Sequence, residues 1–436
     1  MNRVIQILEI PFAIASLVFF TRVLDFESFS KASEGAVGSM ANAETNNVLD
    51  PFLSLIQHSI FLAVVCLLVL RSQDTIKTLT HGKIIWILVI LVLLSFLWSN
   101  IPDISFRGAF AFMETCAFGL YFASRYNINE QLRLIACALG ITSLISLLYT
   151  LVLPSYGIEN GIHLGAWRGP FIQKNIFARI LVLACLSFVC MDSKQLWQKF
   201  LVFAGLTLSF SLIILSQSTT ALMVLALLLM LNVIYKLLCL KDIVAIPLML
   251  VSLIAAIVVA AWVLSNAETI LSSVGKDLTL SGRTTIWAIL IEQIKLRPWL
   301  GYGYLGFWRD PAAISLMTKT FGTTYVPAHS HNGYLELLTS FGFVGVLLFS
   351  ITLIALARRS LILVVRERSQ EGFWPLLFLS YIVFYNFSEP TLIEHNSMFW
   401  IIYLSLAISR FIEFEPEPQS LSTETTPNKY PINIDV

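Results

Sequence analysis

Charge is what this chain has least of. Asp, Glu, Lys and Arg together supply only 13% of its 436 residues, about half the share of a soluble domain. The two signs nearly cancel, leaving a formal net charge of +1. No basic face stands out, which excludes the phosphate-neutralising surface that a nucleic-acid partner needs. Cysteine is scarce as well. Cys66, Cys116, Cys137, Cys185, Cys190 and Cys239 all fall inside or at the ends of apolar segments. Neither a disulfide framework nor a thiolate metal site is expected, and these side chains read as small hydrophobes packed between helices.

What remains is apolar. Hydrophobic residues make up 57% of the chain and the mean hydropathy is +0.79. Runs such as Ile84–Trp98 and Val244–Leu264 indicate a polytopic membrane protein. A spanning helix needs roughly 20 mostly apolar residues. Candidate spans are 4–22, 50–70, 83–100, 108–124, 132–153, 172–191, 198–216, 219–238, 244–265, 333–357, 372–388 and 397–413. The expected fold is therefore all-α, with about twelve transmembrane helices. The first run follows Arg3 as a signal peptide would, but FTRVLDF offers no small-x-small cleavage site, so a retained anchor is expected.

Charge then orients the spans, because cytoplasmic loops carry an excess of Lys and Arg. With the N-terminus in the cytoplasm, the inner loops hold Arg71, Lys77, Lys83, Arg125, Arg133, Lys194, Lys199, Lys236, Lys241, Arg358, Arg359, Arg366 and Arg368. On the other side, Arg22 and Lys31 are outnumbered by Asp25, Glu27, Glu34 and Glu44, and 389–396 has no Lys or Arg. Both ends are expected inside. The chain divides into helices over 1–265, a large outer loop over 266–331, further helices over 332–413, and a solvated cytoplasmic tail over 414–436.

Polar residues concentrate at the outer face. WSNIPDISFRG carries Arg107; ENGIHLGAWRGPFIQKN carries Arg168, Lys174 and Asn175; a tight SQSTT turn and NFSEPTLIEHN follow later. Arg107, Arg168, Lys174, Arg283 and His331 either build a cationic pocket or snorkel singly to phospholipid headgroups. Inside the large loop, RTTIWAILIEQIKLRP has helical spacing. Ser281 is its expected N-cap and Pro298 its stop, with Trp287, Leu290, Ile291 and Ile294 on one face and Thr284, Glu292 and Lys295 polar. Such a helix suits the interfacial plane. The GYGYLG stretch from Gly301 to Gly306 lacks the preceding strand of a phosphate-binding loop and reads as a flexible turn. His329 and His331 form a pair with no third Cys, Asp or Glu ligand close in sequence, so no metal is expected. Glu9, Glu114 and Arg179 sit within spans, where they mark either an ion pathway or structural pairing.

The block SGRTTIW…RPWLGYGYLGFW followed by HSHNGYLELLTSFGFVG resembles the O-antigen ligase and polymerase superfamily of bacterial envelope glycosyltransferases. WSNIPDISFRG, WRGPFIQKNIFAR and SQSTTAL are similar to further landmarks of that family, in the same order over roughly residues 90–350. The large-loop block looks most like the exopolysaccharide-polymerase branch. The resemblance implies a GT-C-type fold in the bacterial inner membrane, with its site facing the periplasm and short helices in the periplasmic loop. It implies transfer of a glycan from undecaprenyl diphosphate to a hydroxyl acceptor, either another lipid-linked repeat unit or lipid A core, with inversion and without a cofactor or metal. No outward-facing Asp-x-Asp pair is present to hold Mg²⁺, so protein cations would meet the diphosphate.

By the same resemblance, Arg283 matches the arginine of the family's large-loop motif and His331 the histidine of its HN motif. Arg283 and Arg168 are the expected diphosphate contacts. His331 either joins them or acts as base for the acceptor hydroxyl, a role suited to an imidazole near neutral pH. Lys174, Asn175, Arg107, Asn332 and Trp308 complete the expected substrate-binding set. One departure is visible: many relatives carry an acidic residue shortly before the glycine matching Gly342, where this chain has Ser340 and Phe341. Glu336 is the nearest carboxylate and the third expected catalytic residue. A secondary transporter is the alternative of another class, but it should show paired repeats and interrupted helices, and no clear repeat is seen.

Overall fold

A computed structural model of the protein describes residues 3–29, 50–160, 163–238, 283–322, 327 and 329–410. The expected span 244–265, the Ser281 cap, Cys239 and the tail 414–436 lie outside the described residues. The helices are α1 (Arg3–Phe20), α2 (Asp50–Leu70), α3 (Ser72–Thr80), α4 (Lys83–Leu94), α5 (Pro102–Arg125), α6 (Ile128–Val152) and α7 (Lys174–Cys190). They continue as α8 (Leu196–Leu215), α9 (Thr219–Leu238), α10 (Arg283–Leu296), α11 (Pro311–Phe321), α12 (Gly333–Glu367), α13 (Trp374–Tyr385) and α14 (Met398–Ile408). Among the described residues there is no strand, only an isolated antiparallel bridge between Ile158 and Trp167. The fold is that of an all-α polytopic membrane protein.

Every expected span outside 244–265 coincides with a helix, but their lengths differ from expectation. Among the described residues, five helices are long and apolar enough to cross a membrane, or six if α3 and Lys83–Trp98, bent by 94°, count as one span. The last two are much shorter than a bilayer requires: α13 has 12 residues and α14 has 11. Both are sheathed by other helices and almost wholly buried. A helix enclosed by protein can pass its remaining backbone bonds to neighbours instead of crossing hydrocarbon by itself. By contrast α2, with only 11% of its apolar window buried, presents Phe52, Leu55, Leu62 and Val69 outward, a surface only lipid can solvate.

Two polar ends result. At one, Glu9 takes Arg71 Nη2 at 2.7 Å and also binds Arg125. Arg133 reaches Glu371, and Arg359 caps the end of α14 through the Ala407 carbonyl. At the other end, Ser28 meets Tyr149, Lys174 Nζ donates to the Gln217 carbonyl, and Gly333 N donates to the Asn386 carbonyl at 2.8 Å. Between them Glu114 accepts from Gln57 and pairs with His58 at 2.7 Å, while Arg179 donates to the Pro390 carbonyl and Glu394. Glu9, Glu114 and Arg179 thus each meet a protein partner, as the pairing alternative expects.

Candidate functional site

The 298–303 segment and α12 set the floor of the site. α12 is broken at Gly342, whose φ of 61° and ψ of −160° belong to a region only glycine occupies readily. The break frees backbone groups for the large loop. Tyr302 N and Gly303 N donate to the carbonyls of Thr339 and Ser340, while Phe343 N and Val344 N donate to those of Pro298 and Trp299. A Cβ at Gly342 would lie 2.3 Å from the Trp299 carbonyl carbon, so the two backbones meet only because the side chain is missing. The reading of Gly301–Gly306 as a flexible turn is therefore corrected: Tyr302 and Tyr304 are buried there, and the turn is docked.

The loop has a small core of its own, formed by Ile286, Leu290, Tyr302, Phe307, Trp308, Ala313 and Met317. This also adjusts the expected face of α10, which keeps Leu290 and Ile294, with Trp287 partly buried, but gains Ile286 and loses Ile291. Ile286, Leu290 and Ile294 are the buried residues, whereas Ile291 is exposed. The face turns because α10 packs against the docked turn and α12, not against lipid alone.

On this base the 329–332 turn is clamped. Trp287 Nε1 donates to the Ser330 carbonyl at 2.9 Å. Glu336 accepts from Trp308 Nε1 at 2.6 Å and from Ser330 N at 3.0 Å. Asn332 caps α12, its Oδ1 accepting from Tyr334 N and Leu335 N. His331 is left with a φ of 51° and its backbone N–H on His329 Nδ1 at 3.2 Å. Three of the expected site residues, Glu336, Trp308 and Asn332, thus surround His331 and hold the turn that presents it.

Glu389 is the residue the sequence reading missed. It follows α13 in a segment that Asn386 braces, taking Thr391 N on its Oδ1 at 2.8 Å and donating Nδ2 to Thr391 Oγ1. Its carboxylate is 3% exposed and collects Arg283 Nη2 at 2.9 Å, His331 Nδ1 at 3.2 Å and Asn175 Nδ2 at 3.2 Å. Asn175 is steadied in turn by Ser218 Oγ at 3.1 Å, and Arg283 Nη1 donates to the Ser388 carbonyl at 2.8 Å. Burial works to raise the Glu389 pKa. The hydrogen bond from His331, the electrostatic pull of the two imidazoles and the Arg283 guanidinium prevail and hold it at about 2. Glu389 is a fixed anion. For His329, burial and then repulsion by His331 depress the pKa, so its ring stays neutral.

The expectation that the histidine pair has no third ligand is also corrected. His329, His331 and Glu389 each offer a ligand atom, all within 4.8 Å of one another. The carboxylate is far along the chain, and folding supplies it. A signal existed in the sequence: 389–396 contains Glu389 and Glu394 with no Lys or Arg of its own, so its carboxylates needed cations from elsewhere.

The other expected residues sit apart. Arg168 is buried, with Nε on the Tyr156 carbonyl at 2.9 Å and Nη1 on that of Ile172. Lys174 donates Nζ to the Gln217 carbonyl, and its backbone N–H donates to Glu159. Arg107 is exposed on α5. Around the closed-off carboxylate, the side chains of Arg283, His331 and His329 remain 20%, 16% and 25% exposed.

Residues 203–350 match a family described as O-Antigen ligase. The chain is also 24% identical over 290 residues to "Exopolysaccharide production protein ExoQ" of Rhizobium meliloti (strain 1021). That match takes in 63% of this chain and 64% of the relative's length. Both similarities support the O-antigen ligase/polymerase superfamily. The family match contains Arg283, Trp308, His331, Asn332 and Glu336 but ends before Glu389.

Proposed function

We propose that this membrane protein of the O-antigen ligase/polymerase type transfers a glycan from undecaprenyl diphosphate to a hydroxyl acceptor, polymerising the repeat units of a surface polysaccharide. The observation that carries the reading is Glu389, a buried anion holding Arg283 and His331 side by side at a partly open end of the bundle. That end is opposite the one carrying Arg71, Arg125, Arg133 and Arg359. A cytoplasmic assignment of the cation-rich end under the positive-inside rule supports a site on the periplasmic side of the inner membrane.

The geometry divides the labour. His331 donates Nδ1–H to Glu389, which leaves Nε2 as the acceptor for a proton. The acceptor hydroxyl gives its proton to Nε2 while its oxygen bonds to the anomeric carbon. The bond from that carbon to the diphosphate oxygen breaks, and its electron pair stays on the phosphate. Arg283 faces this growing charge with the N–H groups that Glu389 and Ser388 do not use. In-line displacement inverts the anomeric centre. Arg168 and Lys174, spent largely on backbone carbonyls, shape the loop that delivers Asn175.

No metal is needed in this scheme. A divalent ion held by His329, His331 and Glu389 would share its carboxylate with the Arg283 guanidinium, whose charge repels the ion from the place where it would bind. Chelator should leave the rate unchanged, and inhibition reversed by Mg²⁺ would overturn this assignment. The test of function uses protein purified into nanodiscs with a lipid-diphosphate-linked repeat unit as sole substrate. Longer lipid-linked glycan together with released undecaprenyl diphosphate is the expected result. Transfer only after lipid A core is added would favour the ligase reading, for which the family's description speaks. Silence across a panel of donors and acceptors would sink both.

A further inference from the structure

One aromatic ring stands in the open beside the buried carboxylate. Phe387 is 58% exposed and belongs to no helix. Other exposed phenylalanines, such as Phe52, Phe106, Phe200 and Phe203, lie on the outer faces of apolar helices, where lipid accounts for them. Phe387 instead lies in the braced segment that aims the site. The carbonyl of its neighbour Ser388 takes Arg283 Nη1 at 2.8 Å, and Glu389 follows.

Its ring is also held in place. Phe387 lies against Tyr334 with centroids 5.1 Å apart and planes at 55°. Tyr334 is anchored at both ends: its hydroxyl donates to the Val383 carbonyl at 2.8 Å and its backbone N–H to Asn332 Oδ1 at 3.0 Å. Asn332 is the immediate neighbour of His331. The aromatic pair therefore joins the two chain segments that carry the proposed base and its carboxylate. A rigid ring with a free surface next to fixed cations and hydrogen-bonding groups matches the chemistry of a sugar. Pyranose C–H faces pack on the electron-rich face of an aromatic ring, while the hydroxyls turn to polar partners.

We propose that Phe387, propped by Tyr334, is the platform on which a sugar ring of the lipid-linked glycan stacks, in register with a diphosphate at Arg283. The proposal rests on the glycan-transfer reading. Phe387 is a substrate-contacting residue that sets affinity and ring selectivity, and it takes no part in proton transfer.

The test compares Phe387→Ala, Phe387→Trp and Phe387→Leu in nanodiscs, with the lipid-diphosphate-linked repeat unit in the transfer assay and the free repeat-unit oligosaccharide in calorimetric titration. Phe387→Ala should raise KM for the lipid-linked substrate about fivefold or more with kcat nearly unchanged, and should weaken oligosaccharide binding in parallel. Phe387→Trp should restore both, and Phe387→Leu neither. Leucine performing as well as phenylalanine would overturn the proposal, because an apolar contact with a prenyl tail or bilayer lipid needs no ring. So would unchanged KM and binding in Phe387→Ala, the behaviour of an aromatic that only anchors at the interface. Oligosaccharide bound through Phe387 by a wild-type protein that transfers nothing would keep the platform and defeat the transfer reading alone.

Discussion

Arg283 Nη2 lies 2.9 Å from Glu389 Oε1, although 106 residues separate them in the chain. The pair has unequal exposure, with the guanidinium partly open and the carboxylate closed off. That inequality gives it a direction: the anion is spent inside the protein, and the cation's remaining donors are offered outside. Glu389→Gln should keep the shape but remove the charge, leaving His331 without its anion and Arg283 less constrained. Glycan transfer is expected to fall about 100-fold, and Arg283→Ala should lower it by about 10²–10³. Initial rates in nanodiscs check both. Near wild-type rates in Glu389→Gln would mean that the carboxylate only packs.

Gly342 joins the large loop to the bundle. Alanine there would have to hold a positive φ and push against the carbonyls of Pro298 and Trp299 at 2.5 and 2.4 Å. The docked turn should detach, with a stability loss of about 1–3 kcal/mol and a drop in transfer. Thermal unfolding of detergent-solubilised protein measures the first. A Gly342→Ala protein with unchanged melting temperature and rate would show that the backbone pairing is dispensable.

How much of this was legible beforehand follows from where each interaction lies. Apolar runs marked the helices because hydropathy is a local property, and Arg283 and His331 stood out as polar residues in a lipid-soluble chain. Glu389 did not, since its partners come from α7, α10 and the 329–332 turn, and no sequence spacing records such convergence. The shortness of α13 and α14 was hidden for a similar reason: apolar composition looks the same whether the neighbour is lipid or another helix. α3 was missed because SQDTIKTLT is short and polar, and its helix depends on packing against α5 and α2. The buried face of α10 was set by the loop core, which takes Ile286 where the sequence pattern offered Ile291.

Acid should loosen the site in two stages. His329 has a depressed pKa in the folded protein. As pH falls through histidine's ordinary 6.5, the unfolded chain takes up a proton that the folded one refuses, and stability declines. Glu389 adds to this below its ordinary 4.5, where the unfolded carboxyl protonates first and the folded one holds out to about 2. Both contributions are fully present near neutrality and are lost toward acid. Melting temperature should fall below pH 6.5 and fall more steeply below 4.5, and Glu389→Gln should flatten the steeper part. A melting temperature that rises between pH 6.5 and 5 would contradict the sign.

Glu336 and Glu389 both lie near His331, and the structure gives them different work. Glu336 spends its carboxylate oxygens on Trp308 Nε1 and Ser330 N, both of them groups that shape the turn. Glu389 touches His331 itself. In Glu336→Gln one amide oxygen remains to accept, while the –NH₂ faces a donor it cannot satisfy, which costs about 1–3 kcal/mol. The turn should loosen, so stability and affinity drop, while the proposed base His331 keeps its Glu389 partner. A milder rate loss than in Glu389→Gln is expected, with the pH–rate profile keeping its acidic limb. Loss of that limb in Glu336→Gln, with His331→Ala still active, would make Glu336 the base and reduce the histidine to a contact for the diphosphate.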